Sequence, residues 1–189
     1  DAEQRIPFIV RWPGKIEPAS RSRQIVGLFD LFATCADILH AKLPDNAGED
    51  SVSLLPAFLG IDMQPLHADN TIVNHSGGNG RFAIRQGKWK LELCPGSGGW
   101  GQPGDEAALK EGLPVFQLYN LDNDIGEQTN LLHMTTEGEQ SHIEMGKYGP
   151  VVTNLVKLLE KYVANGRSTP GASQTNDVPV DMRSNKSVN

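Results

Sequence analysis

The chain has 189 residues and a formal net charge of −6, and no basic run offsets that charge, which argues against nucleic acid as a partner. With 38% hydrophobic and 21% charged residues it has the composition of a soluble globular protein, and no apolar stretch approaches the roughly 20 residues of a membrane span. The two cysteines, Cys35 and Cys94, have neither metal-site spacing nor a disulfide framework. The chain opens on Asp1 without an initiator Met or a signal peptide, so we expect a mature or excised piece of a larger protein.

Residues 6–12 are predicted to form the first strand, because they are almost all apolar and Pro-Gly follows them. Apolarity without alternation is typical of a strand covered on both faces of a larger sheet, and the chain shows no βαβ units to supply that sheet. Asp30 is next predicted to cap an amphipathic helix over residues 31–40, in which Cys35 is expected to be a small buried hydrophobe. A second short helix is expected over residues 54–59.

The central prediction is a β-hairpin over residues 81–93, in which apolar and polar residues alternate on both sides of a turn at Gly87. The runs 71–75 and 115–119 are expected to complete a small antiparallel sheet of about four strands. A long loop is expected between the hairpin and the last strand. The strongest helical pattern, over residues 150–165, is expected to pack on one face of this sheet as a C-terminal helix. These elements predict the α+β fold class.

The alternation leaves a basic face on the hairpin, formed by Arg81, Arg85, Lys88 and Lys90. Either water or an anion can occupy that side. From these residues alone, an ordinary amphipathic hairpin with a solvated basic side is favoured.

Two further residues suggest a binding site. His75 ends a β-run and precedes a Gly-rich link, so it is either placed to reach a cleft or is an ordinary surface histidine. Trp100 stands between glycines in the long loop, where it either stacks on a sugar or aryl ring or pins the loop to the domain. The other four histidines lie in helix ends and polar stretches and are expected to have no special role: His40, His67, His133 and His142.

Signatures of several other enzyme classes are absent from the sequence. No Gly-x-Ser-x-Gly motif occurs, so no nucleophile elbow is expected. The glycines between Gly96 and Gly101 lack the lysine and the strand-to-helix context of a P-loop. The run Asp122-Asn123-Asp124 begins like a calcium loop but lacks the later oxygen ligands, and a polar turn is expected there.

Taken in order, several segments resemble the C-terminal part of the type I sulfatases, and in particular the bacterial arylsulfatase-like members of this alkaline phosphatase superfamily. Each segment is weak by itself, but together their order and spacing are fairly specific and span nearly the whole chain. The segments are residues 5–16, 30–34, 51–56, 83–91 and 118–124, together with 75–76, 96–100 and 166–171.

The resemblance implies hydrolysis of a sulfate ester by the full-length enzyme, with a formylglycine hydrate as nucleophile and a calcium ion polarising the sulfate. The family forms this nucleophile from the Cys of a Cys-x-Pro-Ser-Arg motif, which neither Cys35 nor Cys94 matches. The calcium ligands and the catalytic His and Lys of the family belong to its earlier portion. No catalytic or metal-binding residue is therefore expected here, and this chain alone is expected to bind neither cofactor and to be inactive.

On the same resemblance, residues 1–65 are expected to be the last strand and helices of the larger α/β catalytic domain. Residues 66–166 would be the C-terminal subdomain, with the sheet and helix, and residues 167–189 an extended or disordered tail. The expected partners are the N-terminal catalytic portion of the same enzyme and a sulfated small molecule or glycan, without nucleic acid or membrane. The family also implies a periplasmic or secreted location.

The C-terminal subdomain of this family lies beside the active-site cleft. The resemblance therefore makes His75 and Trp100 candidates for contacts to the substrate's leaving group, and Arg81 and Lys88 candidates for weaker anion contacts. One alternative is a stand-alone, non-catalytic module that binds sulfated or anionic glycans through the basic hairpin face. Another is the matching part of a phosphoryl-transfer enzyme of the same superfamily. A self-standing module would not carry an orphan core strand at residues 6–12, and the sulfatase interpretation is preferred.

Overall fold

The computed structural model of the chain describes residues 5–61, 64–76, 80–137 and 140–182. Within that part of the chain, none of the helices combines the length and the apolar character that a bilayer span requires. In chain order the elements are α1 (Asp30–Ile38), α2 (Leu55–Phe58), β1 (Thr71–His75), β2 (Phe82–Gln86), β3 (Trp89–Glu92), α3 (Asp105–Lys110), β4 (Gln117–Asn120), β5 (His133–Glu137), β6 (Gln140–Glu144) and α4 (Gly149–Asn165). Single 3₁₀ turns precede β1 (Ala68–Asn70) and α4 (Gly146–Tyr148).

The first four strands form one antiparallel sheet in the order β1-β2-β3-β4, and β5 pairs with β6 in a separate two-stranded sheet. In the central hairpin Ile84 pairs with Leu91, which in turn pairs with Leu118. Direct partners across an antiparallel ladder point to the same face, and these three side chains are completely buried there. The predicted hairpin, the sheet of four strands and the α+β class are confirmed.

The last helix, α4, supplies a buried apolar stripe, as its sequence pattern predicts. The buried stripe includes Val152, Leu155 and Leu159. On the neighbouring turn of the helix, the Asn154 side-chain amide donates a hydrogen bond of 3.0 Å to Gln86 Oε1, on the same sheet face as Ile84. The helix ends at Asn165 because Gly166 adopts the left-handed conformation, with φ of 61°, that terminates many helices.

The chain divides into two compact units. Unit 1 comprises residues 1–72 and 162–176, and unit 2 comprises residues 73–161 and 177–189. The division falls inside β1 and inside α4. The domain boundaries expected from the sequence, after residues 65 and 166, stay a prediction.

In unit 1, the segment after α4 is tied to the loop around residues 45–49. The Arg167 guanidinium donates from Nη1 to the backbone oxygen of Asp45 at 3.1 Å and to its carboxylate at 3.2 Å. The Thr169 hydroxyl donates to the Glu49 carbonyl at 2.6 Å, and the Ala172 amide donates to the Asp45 carboxylate at 2.9 Å. These bonds fix the first part of the predicted tail, whereas residues 183–189 lie outside the described residues.

The strand predicted over residues 6–12 is not formed. A strand needs a neighbouring backbone for its hydrogen bonds, and none of the described residues pairs with this segment. Its apolar side chains are exposed instead, with Ile9 at 89%. Phe8 makes a ring contact within unit 1, at 6.2 Å from Phe58 between ring centroids.

Helix α1 forms close to its predicted limits, but the orientation of its side chains differs from the prediction. Asp30 is the first helical residue and not the cap, and its side chain is fully buried. The predicted buried face is exposed at Phe32 and Leu39, and the Cys35 thiol is also exposed. Hydrogen bonds stabilise the side of α1 that is buried. Thr34 Oγ1 donates to the Asp30 carbonyl at 2.6 Å and accepts from the Leu54 amide at 2.9 Å.

Two short elements were not predicted. The long loop before β4 contains α3, a six-residue helix on which Lys110 and Glu106 form an exposed i,i+4 ion pair of 2.7 Å. The β5-β6 hairpin also lacked a sequence signal, because its polar residues obscure the alternation expected of strands.

Candidate functional site

The ends of three strands meet at one end of the four-stranded sheet. β1 ends at His75, β2 begins at Phe82 and β3 ends at Glu92, and in an antiparallel sheet these points lie at the same end. Arg81 immediately precedes β2, and the loop that follows β3, residues 94–104, carries Trp100. We call this segment the Trp100 loop. Three of the four candidate site residues therefore belong to one end of the sheet.

His75 lies on the outer side of this end, where its side chain is exposed. Its ring packs against Phe82, with 4.4 Å between the ring centroids and 48° between the planes. A Cβ atom at Gly80 would lie 3.8 Å from His75 Nε2, an ordinary van der Waals distance. Phe82 lies on the apolar face of the sheet, because it shares a face with the completely buried Ile84, two residues further along β2.

Arg81 is paired with a carboxylate and not free for an anion. Its Nη2 lies 2.6 Å from Asp105 Oδ2, and both side chains are largely buried. The other oxygen of Asp105 accepts a hydrogen bond of 3.1 Å from the Gly96 amide, at the base of the Trp100 loop. Asp105 therefore links two of the predicted site elements, and it was not singled out from the sequence.

The Trp100 loop is held by its own polar groups, while its aromatic side chain stands in solvent. Trp100 is 90% exposed. The Ser97 amide donates to the Pro103 carbonyl at 2.8 Å, and its hydroxyl donates to the Gly101 carbonyl at 2.8 Å. The expectation that Trp100 pins the loop finds no support in this exposure.

Lys88 lies apart from the other candidates. It follows Gly87 in the tight turn between β2 and β3, at the opposite end of the hairpin, and its side chain is exposed. Its Nζ atom lies 5.3 Å from the ring centroid of Trp89, a cation–π arrangement within the same turn. The sheet thus brings together His75, Arg81 and the Trp100 loop, but not Lys88.

The basic face predicted for the hairpin is wrong at its centre, because Lys90 is 2% exposed. Its ammonium lies 2.6 Å from Glu92 Oε1 and donates to both carboxylate oxygens of Glu127, at 3.0 and 2.9 Å. A buried lysine requires such partners. Two of the four basic residues predicted on this face, Arg81 and Lys90, are therefore already paired with carboxylates.

Further polar groups line the same face beside Lys90. The Gln117 side-chain amide donates to the backbone oxygens of Cys94 and Gly96 at 2.9 and 2.6 Å. The Tyr119 hydroxyl donates to Gln117 Oε1 at 2.6 Å. These bonds attach the start of the Trp100 loop to β4, so the buried polar face supports the exposed loop.

Burial shifts the acidities of the groups on this face. Desolvation raises the pKa of the Cys94 thiol to about 12, with Glu92 contributing in the same direction. Desolvation also raises the pKa of the Tyr119 hydroxyl. The pKa of Glu127 is raised by desolvation, although the hydrogen bonds from Lys90 oppose that rise. Cys94 is therefore a neutral thiol at physiological pH and not a nucleophile.

In unit 1, His67 has a partner that its sequence context did not indicate. Its Nε2 lies 2.9 Å from Asp30 Oδ2, and both side chains are buried. The same carboxylate accepts from the backbone amides of Gly27 at 2.8 Å and Val52 at 2.9 Å. Asp30 thus joins three separate segments to α1, which explains a buried acid and a buried histidine as structural groups.

Across the described ranges, no group of three or more His, Cys, Asp or Glu side chains is arranged to hold a metal ion. The acidic residues nearest the candidate site, Asp105 and Glu92, are already engaged with Arg81 and Lys90. The residues of this chain that the structure describes therefore do not fit a calcium site.

No protein-family model matches the chain. Among curated proteins, it is 30% identical over 138 residues to an N-acetylgalactosamine-6-O-sulfatase of Bacteroides thetaiotaomicron, a match that covers 69% of this chain and 24% of that protein. It is 28% identical over 150 residues to an ulvan-active sulfatase of Formosa agariphila, covering 69% of this chain and 29% of the relative. A rat steryl-sulfatase is 38% identical over 56 residues, 30% of this chain and 10% of the relative.

Two solved structures are similar to the chain over most of its length. One, from work on the metabolism of multiple glycosaminoglycans by Bacteroides thetaiotaomicron, has a TM-score of 0.58 and 29% identity, and covers 82% of this chain and 28% of that one. Ps i-CgsB, solved in complex with k-i-k-neocarrahexaose, has a TM-score of 0.52 and 23% identity, covering 87% of this chain and 30% of the other. At that identity the second match supports the fold alone.

The fold and the relatives together define a domain of the sulfatase type. The homologues of the chain are sulfatases, and the resemblance inferred from the sequence is confirmed. The chain spans about a quarter of the length of the first curated relatives that it matches.

Proposed function

We propose that the chain is the C-terminal portion of a sulfatase that hydrolyses sulfate esters, and that it forms part of the rim of the active-site cleft. Within it, residues 1–65 would end the catalytic α/β domain, residues 66–166 would form the C-terminal subdomain and residues 167–189 the tail. The nucleophile and the calcium site would lie in an N-terminal catalytic portion, which is the main partner of this chain. The catalytic formylglycine and calcium are then supplied by that portion, and the enzyme is periplasmic or secreted.

The observation that carries this proposal is the exposed apolar surface of unit 1. Ile9 is 89% exposed, and Phe32 and Leu39 on α1 also present large apolar surfaces to solvent. Several large apolar side chains exposed in one unit are typical of an interface with another part of a protein. Relatives about four times longer than the match have the additional chain that such an interface needs.

Sulfated saccharides are the proposed substrate class. The names of the two longer matches refer to N-acetylgalactosamine 6-O-sulfate and to ulvan, both of them saccharides. His75 and Trp100 are proposed to contact the leaving group, at the end of the sheet where they lie with Arg81. Arg81 and Lys88 are weaker candidates, because one is paired with Asp105 and the other lies at the far end of the hairpin.

The test begins with the native coding sequence. A longer polypeptide that contains Cys-x-Pro-Ser-Arg upstream should release sulfate from sulfated saccharides, whereas the 189-residue chain should not. In the longer polypeptide, His75→Ala and Trp100→Ala should each lower kcat/KM about tenfold, as expected for the loss of one stacking or hydrogen-bonding contact. Lys110→Ala, in the exposed ion pair of α3, is the control and should leave the kinetics unchanged.

Two results would contradict the proposal. A native chain that begins at or near Asp1 would have no residue from which to form the nucleophile. Unchanged kinetics for both the His75 and the Trp100 variants would remove the rim role while leaving the sulfatase assignment in place.

A further inference from the structure

We infer that the Trp100 loop is a preorganised stacking site for the apolar face of a galactose-configured pyranose ring. The inference rests on the proposed function for its saccharide substrate and for the contact with Trp100, and it adds the configuration of the sugar and the ring face that the indole covers. In this arrangement Trp100 sets specificity through the sugar ring and takes no part in sulfate chemistry.

The Trp100 side chain is free in solvent, whereas the backbone around it is held. A tryptophan that is 90% exposed forgoes most of the hydrophobic stabilisation that burial would supply. An unsupported loop would relax so that the ring covers apolar surface. Here the hydrogen bonds of Ser97 to Pro103 and Gly101 hold the backbone on either side of the ring.

The base of the Trp100 loop is fixed from two directions. Asp105 accepts from the Gly96 amide, and Gln117 donates to the Gly96 carbonyl at 2.6 Å. A Cβ atom at position 96 would lie 2.7 Å from the backbone of Pro103, so only glycine permits this close approach. A Cβ atom at Gly98 would lie 3.2 Å from Cys94 Sγ. The loop is therefore packed onto the polar face of the sheet and needs little ordering when it binds a ligand.

The chemistry of a ligand that stacks on one exposed indole is restricted. A single exposed indole covers one face of a bound ring and leaves the other face in water. An aryl ring is apolar on both faces and gains most from a closed pocket, whereas a pyranose has a C–H face and a rim of hydroxyls that stay hydrated. One relative is named for N-acetylgalactosamine, a sugar of the galactose configuration, in which three C–H groups lie together on one face and suit a flat aromatic platform. The open platform therefore favours a sugar ring over an aryl group.

The experiment uses the 189-residue chain labelled with ¹⁵N, and follows the indole N–H signals of its three tryptophans, assigned with single Trp→Phe variants. The probe is neoagarohexaose, a neutral galactan hexasaccharide. It should shift the Trp100 indole signal and leave the Trp89 signal, in the hairpin, unchanged. Trp100→Ala should weaken binding about tenfold, and Trp100→Phe by less, because phenylalanine keeps a smaller stacking face.

The matched control is Ile125→Ala, which removes another exposed apolar side chain of unit 2 and should bind the probe like the parent chain. An unperturbed Trp89 signal in Trp100→Ala shows that the sheet remains folded. The inference is overturned if the probe does not shift the Trp100 signal, if Trp100→Ala binds equally well, or if phenyl sulfate shifts that signal as strongly. Because the probe carries no sulfate and is not hydrolysed, a positive result stands even if the longer polypeptide proves to lack sulfatase activity.

Discussion

The central sheet of unit 2 buries even a charged side chain, whereas the N-terminal part of unit 1 leaves large apolar side chains exposed. In the sheet even the charges are enclosed, and Lys90 is neutralised by Glu92 and Glu127. In unit 1, large apolar side chains are exposed around Ile9 and on the outer side of α1. On the same helix the charged Asp30 is fully buried. Lys90 thus has its partners within its own unit, whereas the N-terminal segment leaves most of its apolar surface uncovered within unit 1.

The difference between the two regions indicates which residues stabilise the chain and which are available for association. The sheet supplies hydrogen-bond and ion-pair partners for its own buried polar groups, so its polar groups should matter for folding. The exposed apolar residues of unit 1 contribute little to the stability of this chain and are available for an interface. The following predictions test each side of that division.

The largest effect is expected for Lys90→Ala, which leaves the Glu92 and Glu127 carboxylates buried without their cation. Breaking a buried ion pair in this way costs about 3–5 kcal/mol, and the free energy of unfolding from urea denaturation should fall accordingly. Lys110→Ala is the control, because its ion pair with Glu106 is exposed and its removal should not shift the midpoint. Equal midpoints for the two variants would mean that the buried network does not stabilise the sheet.

A smaller but still large effect is expected for Leu91→Ala at the centre of the sheet. Deleting a fully buried leucine costs about 2–5 kcal/mol through lost burial and the cavity that remains. Ile9→Ala, at an exposed apolar position of unit 1, should change the free energy of unfolding by less than about 0.5 kcal/mol. A large loss for Ile9→Ala would contradict the division, since it would show that this segment is already packed.

The smallest effect is expected for the two cysteines, which should differ in their reactivity at neutral pH. In the native chain a thiol-specific reagent should label the exposed Cys35 and spare Cys94, which should react only after denaturation.

Since burial raises the folded pKa of Cys94 from 9.0 to about 12, the folded chain holds a proton that the unfolded chain loses. Stability should therefore fall as pH rises from about 9 towards 12, and Cys94→Ala should reduce that fall. Rapid labelling of two thiols in the native protein would refute the burial of Cys94.

The sequence was sufficient for the elements with strong periodicity. Alternation defined the hairpin around Gly87, and the apolar stripe defined α4, because both patterns follow directly from backbone geometry. The same patterns cannot tell which apolar face has a covering layer. That is why residues 6–12 were predicted as a buried strand and the exposed side of α1 as a buried face.

The polar features were harder to predict, because their partners are remote in sequence. Glu127 lies 37 residues from Lys90, and His67 lies 37 residues from Asp30, so no local pattern connects either pair. A clue did exist for Lys90, since Glu92 follows two residues later on the same strand face. The candidate site was also predicted only in part. The glycines near His75 and Trp100 identified these two residues, but the role of Asp105 beneath the Trp100 loop could be recognised only from the folded structure.

The two-residue turn at Gly87 and Lys88 has a practical consequence. It lies at the end of the hairpin opposite the Trp100 loop, and Lys88 is exposed. A fluorophore or a solid support attached there through Lys88→Cys, in a chain that also carries Cys35→Ser, would leave the indole of Trp100 free in solution. The sheet itself then serves as a rigid spacer, which makes the protein suitable for oriented display on a sensor surface.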